Sequence, residues 1–152
     1  MAIRVLLSVI LYAISFFTVG ISGEVKVSVA FEETPGGRPY IAFTYENKTN
    51  KPIYGPAKAK KIERKTADGN IDVTDLFELN NQEYAVRIDP MIYETRAGAY
   101  IKKQLDAGTY ILTIEYDTTE TFGNKGRITK TASTEFDLNE PITNTAPGGL
   151  YG

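Results

Sequence analysis

The chain contains no cysteine, no histidine and no tryptophan. Without cysteine it can form neither a disulfide, a thiolate nucleophile nor a cysteine-based metal site. Without histidine it lacks the commonest general base near neutral pH and the commonest metal ligand. Without tryptophan, a sandwich core would lack the ring that antibody-type domains place beside their disulfide. These absences argue against an enzyme more strongly than any motif present argues for one. Charge of one sign is also missing, since 17 Lys and Arg face 19 Asp and Glu. There is thus no broad electrostatic footprint for nucleic acid.

What is there begins with an apolar N-terminal run. Arg4 precedes Val5–Val19, an almost wholly apolar stretch, and Gly20-Ile21-Ser22-Gly23 supplies small residues after it. That order is expected of a secretory signal peptide over residues 1–23, cut between Gly20 and Glu24. The competing reading is an uncleaved membrane anchor. With 152 residues in all, the remainder is enough for one domain with a real core.

Residues 24–138 carry the period of two that marks half-buried strands. Val25, Val27, Val29 and Phe31 share one face of Glu24–Glu32, and Ile41, Phe43 and Tyr45 share one face of Tyr40–Glu46. Pro35-Gly36-Gly37 turns between them. Ile53–Lys61 is extended but holds Gly55-Pro56, which argues for an edge strand or a bulge. Ile62–Lys65 and Ile71–Thr74 flank Asp68-Gly69, a hairpin signal. Asp75–Asn81 reads as irregular. Tyr84, Val86 and Ile88 alternate in a strand ending before Pro90, and Ala97–Ile101 leads to a turn at Asp106-Ala107-Gly108. Tyr110, Leu112, Ile114 and Tyr116 then line one face of the most regular strand. Thr118–Gly126 is a loop, Arg127–Leu138 is the last strand, and Asn139–Gly152 reads as a loose Pro/Gly-rich tail. Seven to eight such strands, with turn signals between them and no helical period, predict an all-β antiparallel sandwich.

Three short patterns carry a resemblance. Ile41–Tyr45 runs into Asn47-Lys48-Thr49-Asn50-Lys51-Pro52, the Ile62–Val73 pair turns at Asp68-Gly69, and Leu105-Asp106-Ala107-Gly108-Thr109-Tyr110 opens the regular strand. Over roughly Val25 to Leu138 this order resembles the exported bacterial immunoglobulin-like domains. The resemblance implies an immunoglobulin-like sandwich and a tyrosine corner built on Leu105, Asp106, Gly108 and Tyr110. Leu112 stands where an antibody domain has a cysteine, so apolar packing would replace the cross-sheet disulfide. Bacterial intracellular proteinase inhibitors look similar in their first half, but they are not exported.

Candidate sites are few. Asp68, Asn70 and Asp72 begin like a calcium loop, which Asp75 could extend, yet Val73 and Leu79 stand where the pattern needs glycine and glutamate. A plain hairpin accounts for the same residues. Lys58, Lys60, Lys61, Arg64 and Lys65 form the one basic cluster. They either protect an edge strand or meet an acidic glycan, wall polymer or lipid head group. Strand alternation puts Lys58 and Lys60 on one face and Lys61 on the other. Asn47-Lys48-Thr49 fits a glycosylation sequon, or else simple turn chemistry. Among ten tyrosines, Tyr45, Tyr84 and Tyr110 are expected in the core. Tyr40, Tyr54, Tyr93, Tyr100 and Tyr151 are candidates for a recognition surface. Glu32-Glu33 and Glu115 with Asp117 lack the apolar surroundings a glycosidase acid needs.

The expectation is therefore a secreted or cell-surface binding or adhesion module without cofactor or resident metal. Its partner would be a protein or envelope polymer, not nucleic acid, and it would touch membrane only through an uncleaved leader. The alternative is a self-associating filament subunit assembled by strand exchange, in which Glu24–Glu32 or Asn139–Gly152 enters a neighbour's sheet. A proteinase-inhibitor-like domain ranks behind both.

Overall fold

Alternation of apolar and polar residues over nine to ten positions is converted directly into strand. The computed structural model describes residues 20–21, 25–80, 86–119 and 128–146. In chain order its strands are β1 (Gly20–Ile21), β2 (Val25–Glu33), β3 (Pro39–Asn47), β4 (Ile53–Thr66), β5 (Gly69–Asp72), β6 (Phe77–Asn80), β7 (Val86–Ile88), β8 (Tyr93–Ile101), β9 (Gln104–Leu105), β10 (Gly108–Asp117), β11 (Thr129–Leu138) and β12 (Ile142–Thr143). One sheet runs β1-β2-β3-β8-β6, and the other runs β11-β10-β4-β5 with β7 also on β4. All pairs are antiparallel.

Eight of these strands have four residues or more. Lettered in chain order as A, B, C, C′, D, E, F and G, they give sheets A-B-E-D and G-F-C-C′. That is the strand order of an immunoglobulin-type sandwich. The inner faces meet in one core. Val25, Val27, Val29, Ile41, Phe43 and Tyr45 come from the first sheet; Ile62, Tyr110, Leu112, Ile114 and Phe136 come from the second. Leu112, fully buried, does its share by packing alone. Phe136 stacks on Tyr110 at 5.5 Å between ring centroids and meets Phe31 edge-on at 5.7 Å, closing the seam between the sheets.

Three expectations need correction. β4 is not an edge strand throughout, because β10 pairs along one side while on the other β7 covers Ile53–Gly55 and β5 covers Glu63–Thr66. Its proline is accommodated by bulging. Against β10 the register slips between Ala59 and Lys61, and again between Tyr54 and Lys58, the span that holds Gly55-Pro56. A residue without an N–H fits a central strand only where the ladder is already interrupted.

The stretch Asp75–Asn81, expected to be irregular, is regular over its described part, Asp75–Asn80. A 3-10 turn at Thr74–Leu76 delivers β6, which pairs with β8 and sinks Phe77 into the core. The alternation Phe77-Glu78-Leu79-Asn80 is only four residues long, too short to stand out from its polar neighbours.

Nor does the chain come loose at Asn139. Ile142 and Thr143 pair with β9, and the Asn144 side chain donates to the carbonyls of Ile101 and Lys102. Here side-chain hydrogen bonds replace the long apolar run by which strands announce themselves. Residues 147–152, Tyr84 and nearly all of the expected signal peptide lie outside the described residues.

Candidate functional site

The basic cluster is the first place to look, and it is not a patch. Ala59 and Ile62 both point into the core, so the two residues between them cannot alternate normally. The bulge places Lys60 and Lys61 together opposite Thr113. Strand alternation alone had put them on opposite faces. Lys60 Nζ then reaches Glu115 at 2.6 Å, Lys61 Nζ reaches Glu63 at 2.7 Å, and Lys65 Nζ crosses to Glu135 at 2.9 Å. The Lys61 ammonium is held above the ordinary lysine range, chiefly by its hydrogen bond to Glu63. The Lys58 side chain lies outside the described residues. Arg64 and Lys65 lie where β5 covers β4, whereas Lys58, Lys60 and Lys61 lie between the β7 and β5 pairings, where that side of β4 has no strand partner among the described residues. Each described lysine of the cluster already holds a carboxylate, so the cluster is not a run of free cations.

Hydroxyls complete the same face in register. Thr109 donates to Asp137 at 2.6 Å, Thr129 donates to Asp117 at 2.9 Å, and Thr113 bonds Ser133 at 2.9 Å. Each is a directly opposed pair on β10 and β11, the unit of sheet stabilisation. Glu115 and Asp117, weighed as catalytic acids, are thus tied up in cross-strand contacts. Glu32 and Glu33 are exposed at the end of β2.

Arg64 belongs to another structure altogether. Its guanidinium donates to Ala107 O at 2.9 Å and sits 3.4 Å from Asp106 Oδ2. It therefore grips the turn that launches β10. Gly108 in that turn has φ +149, and a Cβ there would lie 3.2 Å from Arg64 Nε, so glycine is needed both for its angle and for the close approach. Leu105 is fully buried beneath. Tyr110 Oη donates to Asp106 O at 2.6 Å, a tyrosine corner at the start of strand F. Burial raises the Tyr110 phenol above its ordinary pKa, with Arg64 opposing and Asp106 adding to the shift. Nothing in the sequence pattern marks Arg64 as part of this corner; only the pairing Arg64↔Tyr110 does.

The calcium-loop residues are not gathered. Asp72 Oδ1 accepts from Thr74 Oγ1 at 2.6 Å and Thr74 N at 2.9 Å, and those bonds hold its carboxyl below the ordinary range. Asp68 and Asn70 lie on the exposed β4–β5 hairpin, where Gly69 takes φ +124. Among the described residues no group of three or more acidic side chains is placed to hold a metal ion.

Asn47 is fully buried, which overturns the glycosylation reading. Its Nδ2 donates to Lys51 O at 2.7 Å and Ile88 O at 3.0 Å, while Oδ1 accepts from Thr49 N and Thr49 Oγ1. A glycan on that nitrogen would break both donations. The side chain instead fixes the β3–β4 turn and ties it to β7, and Asn47 O accepts from Met91 N at 2.8 Å.

The tyrosines divide. Tyr45, Tyr110 and Tyr116 are buried. Tyr40 and Tyr100 form a directly opposed pair with ring centroids 4.8 Å apart, and Arg38 covers Tyr100 at 4.2 Å while bonding Glu78 at 2.7 Å. Tyr100 is therefore flanked by its own neighbours and offers no open platform. Tyr54 is half-buried; the side chain of Tyr93 and all of Tyr151 lie outside the described residues.

The region that sequence reasoning missed is one end of the sandwich. Register brings the turn 48–52, the loop 89–92 and the described residues Thr118, Thr119 and Ile128 to the same end, because Glu46 opposes Tyr93 and Tyr54 opposes both Asp117 and Arg87. Among the described residues, three of the five exposed large apolar side chains stand there: Met91 at 62%, Ile128 at 54% and Ile92 at 51%. Met91 takes φ +67, the only non-glycine with positive φ among the described residues. Such backbone strain persists only where the surroundings enforce it, and here the bond to Asn47 does so. The signal available in sequence was Pro90-Met91-Ile92, apolar residues directly after a proline between two strands.

No family model, no curated protein and no solved structure matches this chain.

Proposed function

We propose that this chain is an exported, non-enzymatic immunoglobulin-like module that binds a protein or envelope polymer at the cell surface. Its contact surface is the loop end carrying Met91, Ile92 and Ile128. The observation that carries the reading is the contrast between that end and the framework. Along the face of the second sheet the charges and hydroxyls are spent on one another, whereas this end presents large apolar side chains, Met91 and Ile92 among them on a loop held by the buried Asn47. Loops on a rigid scaffold are where binding residues concentrate. In immunoglobulin-type variable domains, B–C and F–G loops of one end are the recognition loops.

The test is co-sedimentation of the purified chain with cell envelopes from the organism that makes it. The native chain is expected in the pellet. Met91→Asp with Ile92→Asp is expected in the supernatant, while Lys65→Glu on the framework pellets like the native chain. Equal recovery of all three contradicts the reading.

A further inference from the structure

β2 is a border strand with two unlike sides. Toward the sheet it pairs with β3 over all nine residues, Val25↔Asn47 to Glu33↔Pro39. Toward the outside its described partner is β1, which covers only Lys26 and Val27. From Ser28 to Glu33 that outer border has no strand partner among the described residues. The short β1 pairing matters because it demonstrates that the border accepts an antiparallel strand. An open border of this kind is a template for pairing with another chain.

The side chains say which chain. Lys26, Ser28, Ala30 and Glu32 share the outer face of β2, alternating with the core residues Val25, Val27 and Val29. Neither Lys26 nor Glu32 has an ion-pair partner among the described residues. They stand at opposite ends of the strand, three positions either side of Val29. If β2 pairs antiparallel with itself about Val29, Lys26 falls opposite the partner's Glu32 and Glu32 opposite the partner's Lys26. Ser28 then meets Ala30, and on the inner side Val27 meets Phe31. One self-complementary patch used twice is the geometry of a two-fold dimer, and directly opposed unlike charges favour the register. β11, the other long border, has no such pattern. Its outer face ends in Glu135 and Asp137, already engaged by Lys65 and Thr109.

We propose that β2 is a self-association strand: two copies pair antiparallel through β2 about Val29, displacing β1 and continuing the first sheet across the dimer. The occupant of the border is a second copy of this chain. The surface is separate from the loop end, so it stands or falls independently of the binding reading.

Sedimentation equilibrium of the full chain at low ionic strength tests this with four samples. The native chain is expected to be dimeric. Lys26→Glu and Glu32→Lys each set like charges opposite one another at both contacts, raising the dimer Kd about tenfold or more. An equimolar mixture of the two variants is expected to recover native association, because both contacts of the mixed dimer again join unlike charges. That recovery also shows that the variants are folded. A monomeric native chain, single variants that associate like the native chain, or a mixture no tighter than either variant alone would overturn the proposal.

Discussion

Every described cation of β4 has a carboxylate within 4 Å on a neighbouring strand, turn or residue of its own chain, and the hydroxyls of β10 and β11 are matched to partners directly across. β2, at the border of the other sheet, carries Lys26, which lies across from Glu46 on β3 without an ion pair to it, and Glu32, which lies across from Tyr40. Both regions obey the same alternation of apolar and polar residues. They differ in what the polar half is for. Where a strand has neighbours on both sides, its polar face can be satisfied internally. Where it has one neighbour, charges left over either remain in water or select a partner. The same logic separates the framework from the loop end, where the residues left over are apolar.

Substitutions can break or sharpen this comparison, and the largest effect is expected where the two sheets are tied together. Asn47→Ala removes four hydrogen bonds at a fully buried site and strands Ile88 O, costing about 3 kcal/mol by urea unfolding. A cost below about 1 kcal/mol would mean that the turn and β7 are not fixed through this side chain.

Gly98→Ala follows, at about 2 kcal/mol. The first sheet covers its outer face by laying Tyr40 over Gly98, and an added Cβ would run into the Tyr40 ring and hydroxyl and sit 2.7 Å from Ile41 O. Pairing this change with Tyr40→Ala should recover only part of the loss, since the Ile41 carbonyl cannot withdraw.

Tyr110→Phe deletes the corner bond to Asp106 and is expected to cost about 1–2 kcal/mol. It also has a pH signature. The folded phenol titrates above its unfolded value of about 10, so its contribution is complete below pH 10 and declines as pH rises beyond it. Unfolding midpoints measured from pH 8 to 11 should fall less steeply for the phenylalanine variant than for the native chain. An unchanged midpoint at neutral pH would remove the tyrosine corner from the account.

Lys60→Ala is the small end of the series. Its ion pair with Glu115 is half-exposed, so the loss is expected to stay within about 0.5 kcal/mol. A loss above 1 kcal/mol would mean that the charge network of the second sheet supplies stability as well as internal satisfaction.

Much of this architecture was legible in the residues. The faces of β2, β3, β10 and β11 follow directly from alternation, and Leu105-Asp106-Ala107-Gly108-Thr109-Tyr110 marks the corner strand by its residues alone. What was not legible depends on contacts distant in sequence. The bulge that turns Lys60 and Lys61 to one side exists only because Ala59 and Ile62 must both face the core. The burial of Asn47 depends on Ile88, 41 residues away, so a sequon and a buried clamp look identical in the sequence. Arg64 joins the corner through a partner strand, and β6 is too short to show a period. The candidate site itself was the least legible part. Met91, Ile92 and Ile128 come together only when register folds two loops to one end, and nothing in their local sequence links them.

The central contrast, charges satisfied within the second sheet and left for a partner on β2, is met most directly by comparing two charge reversals. Lys26→Glu and Lys65→Glu change net charge identically, one on the open border and one on the satisfied face. Sedimentation equilibrium at equal concentrations should show Lys26→Glu weakening the dimer about tenfold or more, with Lys65→Glu associating like the native chain. Equal weakening by both, or no weakening by either, would contradict the account.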